Sequence, residues 1–474
     1  MELLFESRLC IGSLEGKMVW VQGRPSVRQE PVLDGDSFVD GTGVTIYGSV
    51  LHDGGTYRMW YQAWPRDWTG QDVALVGYAE SHDGVAWKKR DLGLCSYGPG
   101  DNNLTDMGFH SPSVFIDPDA PGDRRYRAVG YTGPRYAGAP QGLRSAGYYT
   151  AHSADGLSWS LDSTEPTWPG GDVVTAVYHP GRNRGLVALK LNPRYRAIPR
   201  RSLWQAELRG GAWSEAHRAL VPDDFDDVAA AARGFASGDY YGMAQQPAAM
   251  GTVGFVWQFR HTLPRTAKPG AEAGVFGSTG VTLAFQEGPG DCWQHAPGRR
   301  DFVACDAFPW ARGGLYTAST PIEAGDMHRL YVCGARETHG WYVSNEWKVL
   351  ERWRKHLIEQ GFGRITFVEW PKWRLFGYRA DPEGILELRL EHAGPRCRLR
   401  LNYECEPGGS IRVEAPGIAG RGLEDSVALT GGSLSAPVAW RGGEAIQRPA
   451  DGPQSSVKLH MERATVWAFE TEAV

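Results

Sequence analysis

Three carboxylates, Asp40, Asp172 and Glu337, stand beside strand-like segments where they can work as a proton-transferring set. Such chemistry needs one group kept ionised as base or nucleophile and another kept protonated as acid. Around them the chain places side chains suited to holding a polar small molecule: His110, Trp64, Arg66, Lys190, Asp239, Tyr241, Arg260, His261, Arg336 and His339. Lys190 and Arg194 flank Asp172 in this reading and should lower its pKa, so Asp172 is the expected base or nucleophile and Glu337 or Asp40 the acid. The guanidinium groups also suit an acidic or phosphorylated ligand, because Arg grips a carboxylate in a two-pronged fork. Three of these residues are histidines, which raises a metal alternative. No His-x-His or His-Glu-x-x-His spacing supports it, so neither metal nor cofactor is expected.

These residues come together only if the chain is a ring of β-sheets. Ser81-His82-Asp83-Gly84-Val85-Ala86-Trp87 returns about 70 residues later as Ser153-Ala154-Asp155-Gly156-Leu157-Ser158-Trp159. In each copy an apolar strand runs into a turn where Asp bonds nearby backbone N–H groups and Gly supplies positive φ, and the Trp opens the next strand. Asp83 and Asp155 are therefore structural, and Trp87 and Trp159 are expected to wedge between neighbouring sheets. Degenerate repeats continue through Gly210-Gly211-Ala212-Trp213 and Asp291-Cys292-Trp293, and a fifth unit spans residues 315–370.

The expected fold class is all-β: a five-bladed β-propeller over residues 1–372, followed by a C-terminal β-sandwich over 373–474. The last blade is expected to borrow a strand from the N-terminus, from residues 3–11 or 18–21, because closing a ring removes open edges. Residues 345–360 carry apolar positions at helical spacing and read as an inserted amphipathic helix. In a propeller, the starts of first strands and the ends of second strands meet at one axial rim, which is where the candidate residues above fall.

The 474 residues carry 50 basic and 55 acidic side chains, a formal net charge of −5. No global basic field is present, so nucleic acid is not an expected partner. No segment approaches the ~18 apolar residues of a membrane span, and the acidic N-terminus is unlike a signal peptide. No membrane partner is expected, and a cytoplasmic location is. Seven scattered cysteines without a Cys-x-x-Cys indicate no disulfide framework or zinc ribbon. The oligomeric state is not legible.

The Ser-x-Asp-Gly-x-x-Trp turns, the second strand over residues 55–61, the Ser111-Pro112-Ser113-Val114-Phe115 strand followed by Asp117-Pro118, and the C-terminal tail together resemble the invertase-like glycoside hydrolases. Families 32 and 43 are the best-known members. The resemblance implies an axial funnel in which acidic residues at the starts of the innermost strands of the first three blades act on a glycosidic bond of a carbohydrate. The chain departs from that pattern. Ser111 stands where the second-blade Asp is expected, Asp172 replaces a third-blade Glu, and Asp40 lies a few residues early. Two expectations follow: a glycosidase-like enzyme with an altered carboxylate set, or a propeller with an eroded set. The eroded form would bind sugars, serve as a scaffold, or act as a lyase or cyclase on a non-sugar small molecule.

Overall fold

A computed structural model describes residues 2–4, 10–195, 197–264, 274–340, 361–391, 394–447 and 454–474. The proposed helix at 345–360 lies outside the described residues. The regular secondary structure described is almost entirely β-strand, arranged as successive antiparallel sheets. The first holds Gly43–Asp53, Thr56–Trp64 and Val76–Ser81, and the second His110–Ile116, Tyr126–Thr132, Gly147–Ser153 and Ser160–Leu161. The third is built on Val174–His179, Arg184–Leu191 and Ser202–Arg209, the fourth on Ser237–Ala248, Gly251–His261 and Gly277–Gln286. A fifth set, Gly314–Thr317, Met327–Ala335 and Gly363–Pro371, joins the fourth through one parallel pair, Thr279 with Gly314.

The repeated turns show why these sheets adhere. Ser81 Oγ bonds Asp83 Oδ1 at 2.9 Å, and that oxygen also accepts the Val85 and Ala86 N–H groups, each at 2.8 Å. The second copy repeats the geometry at Ser153, Asp155, Leu157 and Ser158. With the carboxylate occupied inside the turn, the Gly carbonyl is free to reach the neighbouring sheet. Gly84 O accepts the Tyr331 hydroxyl at 2.6 Å, and Gly156 O accepts Trp60 Nε1 at 2.7 Å. Trp87 packs edge-on against Tyr331, with ring centroids 5.6 Å apart, and Trp159 joins the cluster that Trp60 and Tyr126 form between the first two sheets.

The N-terminus closes the structure differently from the expectation. Ile11–Gln22 runs antiparallel to Phe376–Glu391, and Glu2–Leu3 pairs with Gln454–Ala473, so both belong to a seven-stranded C-terminal sheet. The fifth set is instead bordered by Ser26–Val27, paired with Glu369 and Val368. Two residues suffice to cover a short edge. The longer strand pairs along residues 376–388, with Ile11 buried at one end. The C-terminal sheet also contains Arg396–Glu414, Gly432–Pro437 and Ala445–Gln447 and encloses its own apolar core around Leu388, Leu401 and Val466.

The short helix Asp224–Ala231 was not anticipated. Asp223 and Asp226 form a reciprocal capping box at its start, a signal present in the sequence as paired acids three residues apart.

At Gly156 the backbone φ is +77°, and a Cβ would lie 2.8 Å from Trp60 Cζ2. At Gly93 φ is also positive, +63°, but a Cβ would meet nothing within 4 Å. Gly156→Ala is expected to lower unfolding free energy by about 1–3 kcal/mol, and by more than Gly93→Ala. Urea denaturation of both variants checks this, and equal losses would exclude the packing contribution.

Candidate active site

The innermost strands of the sheets turn toward one cavity of about 330 Å³. They do so through local irregularities. The pairing register shifts between Thr45 and Ser49 in the first sheet, between His110 and Ser113 in the second, and between Tyr240 and Gly242 in the fourth. Bulges of this kind re-aim side chains, and the segments concerned carry Tyr47, His110 and Tyr241, all on the cavity wall. In the third sheet the device is Gly170-Gly171-Asp172. A Cβ on Gly171 would fall 1.8 Å from Tyr131 Cε2, so only glycine fits. Asp172 itself has φ +150° and Ser111 φ +55°. Strained backbone at two positions beside one cavity is the pattern expected where placement of a side chain outranks local stability.

Asp172 is the electrostatic centre. One carboxylate oxygen is bonded by the Lys190 ammonium and lies 3.3 Å from the Tyr241 hydroxyl, and the other lies 3.5 Å from His110 Nε2. Lys190 is only 3% exposed, whereas the Asp172 side chain keeps 33% of its surface. Burial works against ionisation of Asp172, but Lys190 and then His110 outweigh it and hold the carboxyl well below the usual range. The Lys190 ammonium also sits 4.2 Å from the Tyr241 ring centroid.

Beyond Tyr241 lies His339, whose Nε2 is 2.9 Å from the Tyr241 hydroxyl and whose Nδ1 is bonded to the Val275 carbonyl. A carbonyl only accepts, so Nδ1 carries the proton and Nε2 accepts from Tyr241. Burial, reinforced by Arg201, pushes His339 down to about 3, so its imidazole is neutral. The opposite wall is aromatic: Tyr47 and Tyr316 have ring centroids 4.6 Å apart, and Trp64 meets His110 edge-on at 6.1 Å. Burial lifts the Tyr47 phenol well above its ordinary value. Within this tier His110 Nδ1 is buried without a hydrogen-bond partner.

Of the candidates read from sequence, Asp172, Glu337, His110, Trp64, Lys190, Tyr241 and His339 line this cavity. The others do not. Asp40 is fully buried and saturated by Lys89 at 2.6 Å, Tyr61 at 2.8 Å and the Ser37 hydroxyl at 2.8 Å. Asp239 is 1% exposed, between Arg200 Nε at 2.7 Å and His261 Nε2 at 2.9 Å, so Asp239 and His261 serve each other. Arg260 is paired with Asp301, and Arg66 is exposed, with Nη2 3.4 Å from the Asp36 carbonyl. Arg336 bonds Phe362 through its backbone, and Arg194 lies exposed on a separate two-stranded hairpin. The cation near Lys190 is Arg201, held by the Gly274 carbonyl at 2.7 Å and stacked on Phe259 at 4.4 Å. Ser111 bonds the Val174 carbonyl and is not on the cavity wall.

Sequence reasoning missed Arg201, Tyr47, Tyr136, Tyr316 and Asp72 on the wall. Tyr47 lies where the register of its strand shifts, and Tyr136 and Asp72 lie in loops outside the strands. The adjacent Arg200-Arg201 pair was the one available signal. Among the described residues no group of three or more His, Cys, Asp or Glu side chains could hold a metal ion, and no helix is long and apolar enough to cross a membrane.

No protein-family model matches the chain. Over 48 residues it is 46% identical to an uncharacterized protein of Mycobacterium tuberculosis (strain CDC 1551 / Oshkosh), a match covering 10% of this chain and 16% of that protein. The matched part is thus about a sixth of the length of that curated relative. Among solved structures, the chain is similar to an N-acetylgalactosamine deacetylase from F. plautii in complex with blood group B trisaccharide, at 13% identity and TM-score 0.42, over 74% of this chain and 96% of that one. It is also similar to an exo-β-1,3-galactanase from Phanerochaete chrysosporium, at 8% identity and TM-score 0.39, over 94% of this chain and 100% of that one. These structural neighbours are carbohydrate-active proteins, several of them of glycoside hydrolase type. At such identities and TM-scores none of them assigns a role to a residue of this chain.

The neutral His339 has a measurable consequence. Its folded pKa lies below its ordinary value of 6.5, as do those of His295 and His328, each drawn down by burial to about 4. Between pH 6.5 and about 4 the unfolded chain binds protons that the folded chain refuses, so stability should fall on acidification through this window. Each histidine contributes up to about 1.4 kcal/mol per pH unit. Asp172 adds nothing to this loss, because a depressed carboxylate keeps its contribution until far lower pH. Urea midpoints measured across this window check the slope, which His339→Gln should flatten.

Proposed function

We propose that the five sheets are the blades of a propeller, that the C-terminal sheet forms a β-sandwich beginning near Trp373, and that the axial cavity cleaves a glycosidic bond of a small or oligomeric carbohydrate. One observation carries this reading: a carboxylate held ionised, Asp172, shares a cavity with a second carboxylate, Glu337, beneath aromatic rings suited to sugar faces. Asp172 either attacks the anomeric carbon as nucleophile, forming a glycosyl ester that water then hydrolyses, or takes the proton of a water that attacks that carbon, and its charge stabilises the oxocarbenium-like transition state as the bond to the leaving oxygen breaks. Glu337 donates the proton to the leaving oxygen. Lys190 positions Asp172 and keeps it ionised, and His110 faces its second oxygen. Trp64 and Tyr47 provide the flat walls against which a sugar ring packs.

A second reading draws on the crowding around Asp172, whose oxygens already face Lys190, Tyr241 and His110. A carboxylate so engaged also suits a non-hydrolytic site that binds a sugar, or one that performs elimination or cyclisation on a non-sugar small molecule.

The readings separate on two variants assayed against a panel of p-nitrophenyl glycosides. Asp172→Asn and Glu337→Gln are each expected to lower kcat by about a hundredfold or more, with sugar affinity held; melting temperature should hold in Glu337→Gln and fall in Asp172→Asn, which leaves the buried Lys190 ammonium without its carboxylate. Turnover of no glycoside by the unmodified chain, with sugar binding retained, would move the assignment to the second reading. Unchanged turnover in Asp172→Asn would remove that residue from the chemistry.

A further inference from the structure

Tyr241 stands between Asp172 and His339 on the axial cavity, and its hydroxyl has one proton to give. Its oxygen lies 2.9 Å from His339 Nε2 and 3.3 Å from Asp172 Oδ2. Beyond His339 the line ends on the Val275 carbonyl, against Nδ1. The imidazole is held there from its own backbone: the His339 N–H donates to the Gly277 carbonyl at 2.8 Å, the His339 carbonyl accepts the Gly277 N–H at 3.3 Å, and the ring meets Phe259 edge-on at 5.3 Å. Three contacts result, and a neutral imidazole and a phenol bring only two protons to them. Val275 takes the proton of Nδ1, because a carbonyl only accepts, and Nε2 takes that of Tyr241. What remains between Tyr241 and Asp172 is a lone pair facing a carboxylate. That contact works against the ionised form, and it becomes a hydrogen bond once Oδ2 carries a proton.

We propose that Tyr241 and His339 are positioning residues that make Asp172 a general base, by providing a place for the proton it removes from water. They oppose Lys190, which favours the ionised carboxylate. The inference rests on the glycosidase reading of this cavity and chooses between the two roles that reading leaves to Asp172. In the step, a water O–H bond breaks and its proton goes to Asp172 Oδ2 as the water oxygen bonds the anomeric carbon. The bond from that carbon to the leaving oxygen breaks, and Glu337 supplies the proton that this oxygen takes up. Oδ2 then donates to Tyr241, Tyr241 to His339 and His339 to Val275, so that every contact in the line holds a proton. A glycosyl ester on either Asp172 oxygen brings no proton and would leave the lone pairs opposed.

Kinetics of the full chain on p-nitrophenyl glycosides, joined to nitrogen-15 NMR of its histidine rings, test this. Tyr241→Phe keeps the ring against the Lys190 ammonium and removes the oxygen, and His339→Leu frees the Tyr241 proton to turn onto Asp172. Each should lower kcat about tenfold or more with KM held. His339→Gln, whose amide can accept from Tyr241 and donate to Val275, should recover most of that loss. In the Tyr241→Phe background His339→Leu should cost less than about twofold more, because His339 acts through that hydroxyl. A residue that only supports the fold would cost as much in either background. The ring signals of the unmodified chain, assigned by their loss in His339→Gln, should show His339 protonated at Nδ1 and bare at Nε2. Unchanged kcat in Tyr241→Phe, full additivity in the double variant, retained anomeric configuration in the product, or a proton on Nε2 would each overturn the proposal while the glycosidase reading stands. Turnover of no glycoside would overturn both together.

Discussion

The innermost strands of successive sheets face one another across a space with no backbone ladder between them, and their polar groups must still be satisfied away from water. Hydroxyl side chains meet that constraint. Ser49, Ser113 and Ser319, from the first, second and fifth sheets, form a buried cluster in which Ser49 Oγ lies 3.0 Å and Ser113 Oγ 2.5 Å from Ser319 Oγ. Ser113 continues to the third sheet through the Ala176 N–H at 2.6 Å, and Thr175 bonds the Met243 carbonyl of the fourth. Small side chains let the strands approach, and their hydroxyls stitch each strand to the next. Tyr47, His110, Asp172 and Tyr241 of the cavity wall lie on or beside these stitched strands.

That stitching explains how the site tolerates strain. Ser111 is held at positive φ because its hydroxyl and backbone are tied to Val174 and Gln62. The same tie fixes Val174, two residues beyond Asp172. Asp172 is thus positioned by a glycine pair on one side and a cross-sheet bond on the other, before Lys190 draws its carboxylate into place. The order of dependence runs from backbone to charge: the ammonium acts on a carboxylate that the chain has already brought within reach.

Burial also separates the candidate carboxylates from one another. Asp40 and Asp239 are enclosed, and an enclosed carboxylate must be paired and hydrogen-bonded. Lys89 serves one and Arg200 the other. Both are thereby committed to holding loops against strands. Asp172 keeps a third of its side-chain surface open to the cavity and stays available to a ligand.

The sequence by itself determined the β character, the repeated turn and several of the residues that line the cavity. Ser-x-Asp-Gly-x-x-Trp encodes its own hydrogen bonds within seven residues, and Asp172, Lys190, His110, Tyr241 and His339 fall at strand ends that a simple alternation locates. Tertiary structure alone decided the rest. Whether Asp40 faces a cavity or Lys89 depends on a contact 49 residues away, and the partner of Asp239 is an arginine 39 residues upstream. The route of Ile11–Gln22 into the C-terminal sheet is set by a partner strand more than 350 residues distant. Tyr47, which the sequence did not single out, reaches the wall where a bulge breaks the two-residue period on which the alternation rests. Local chemistry is written in neighbouring residues, whereas bulge position, burial and the choice among competing partners are settled only when distant strands pack.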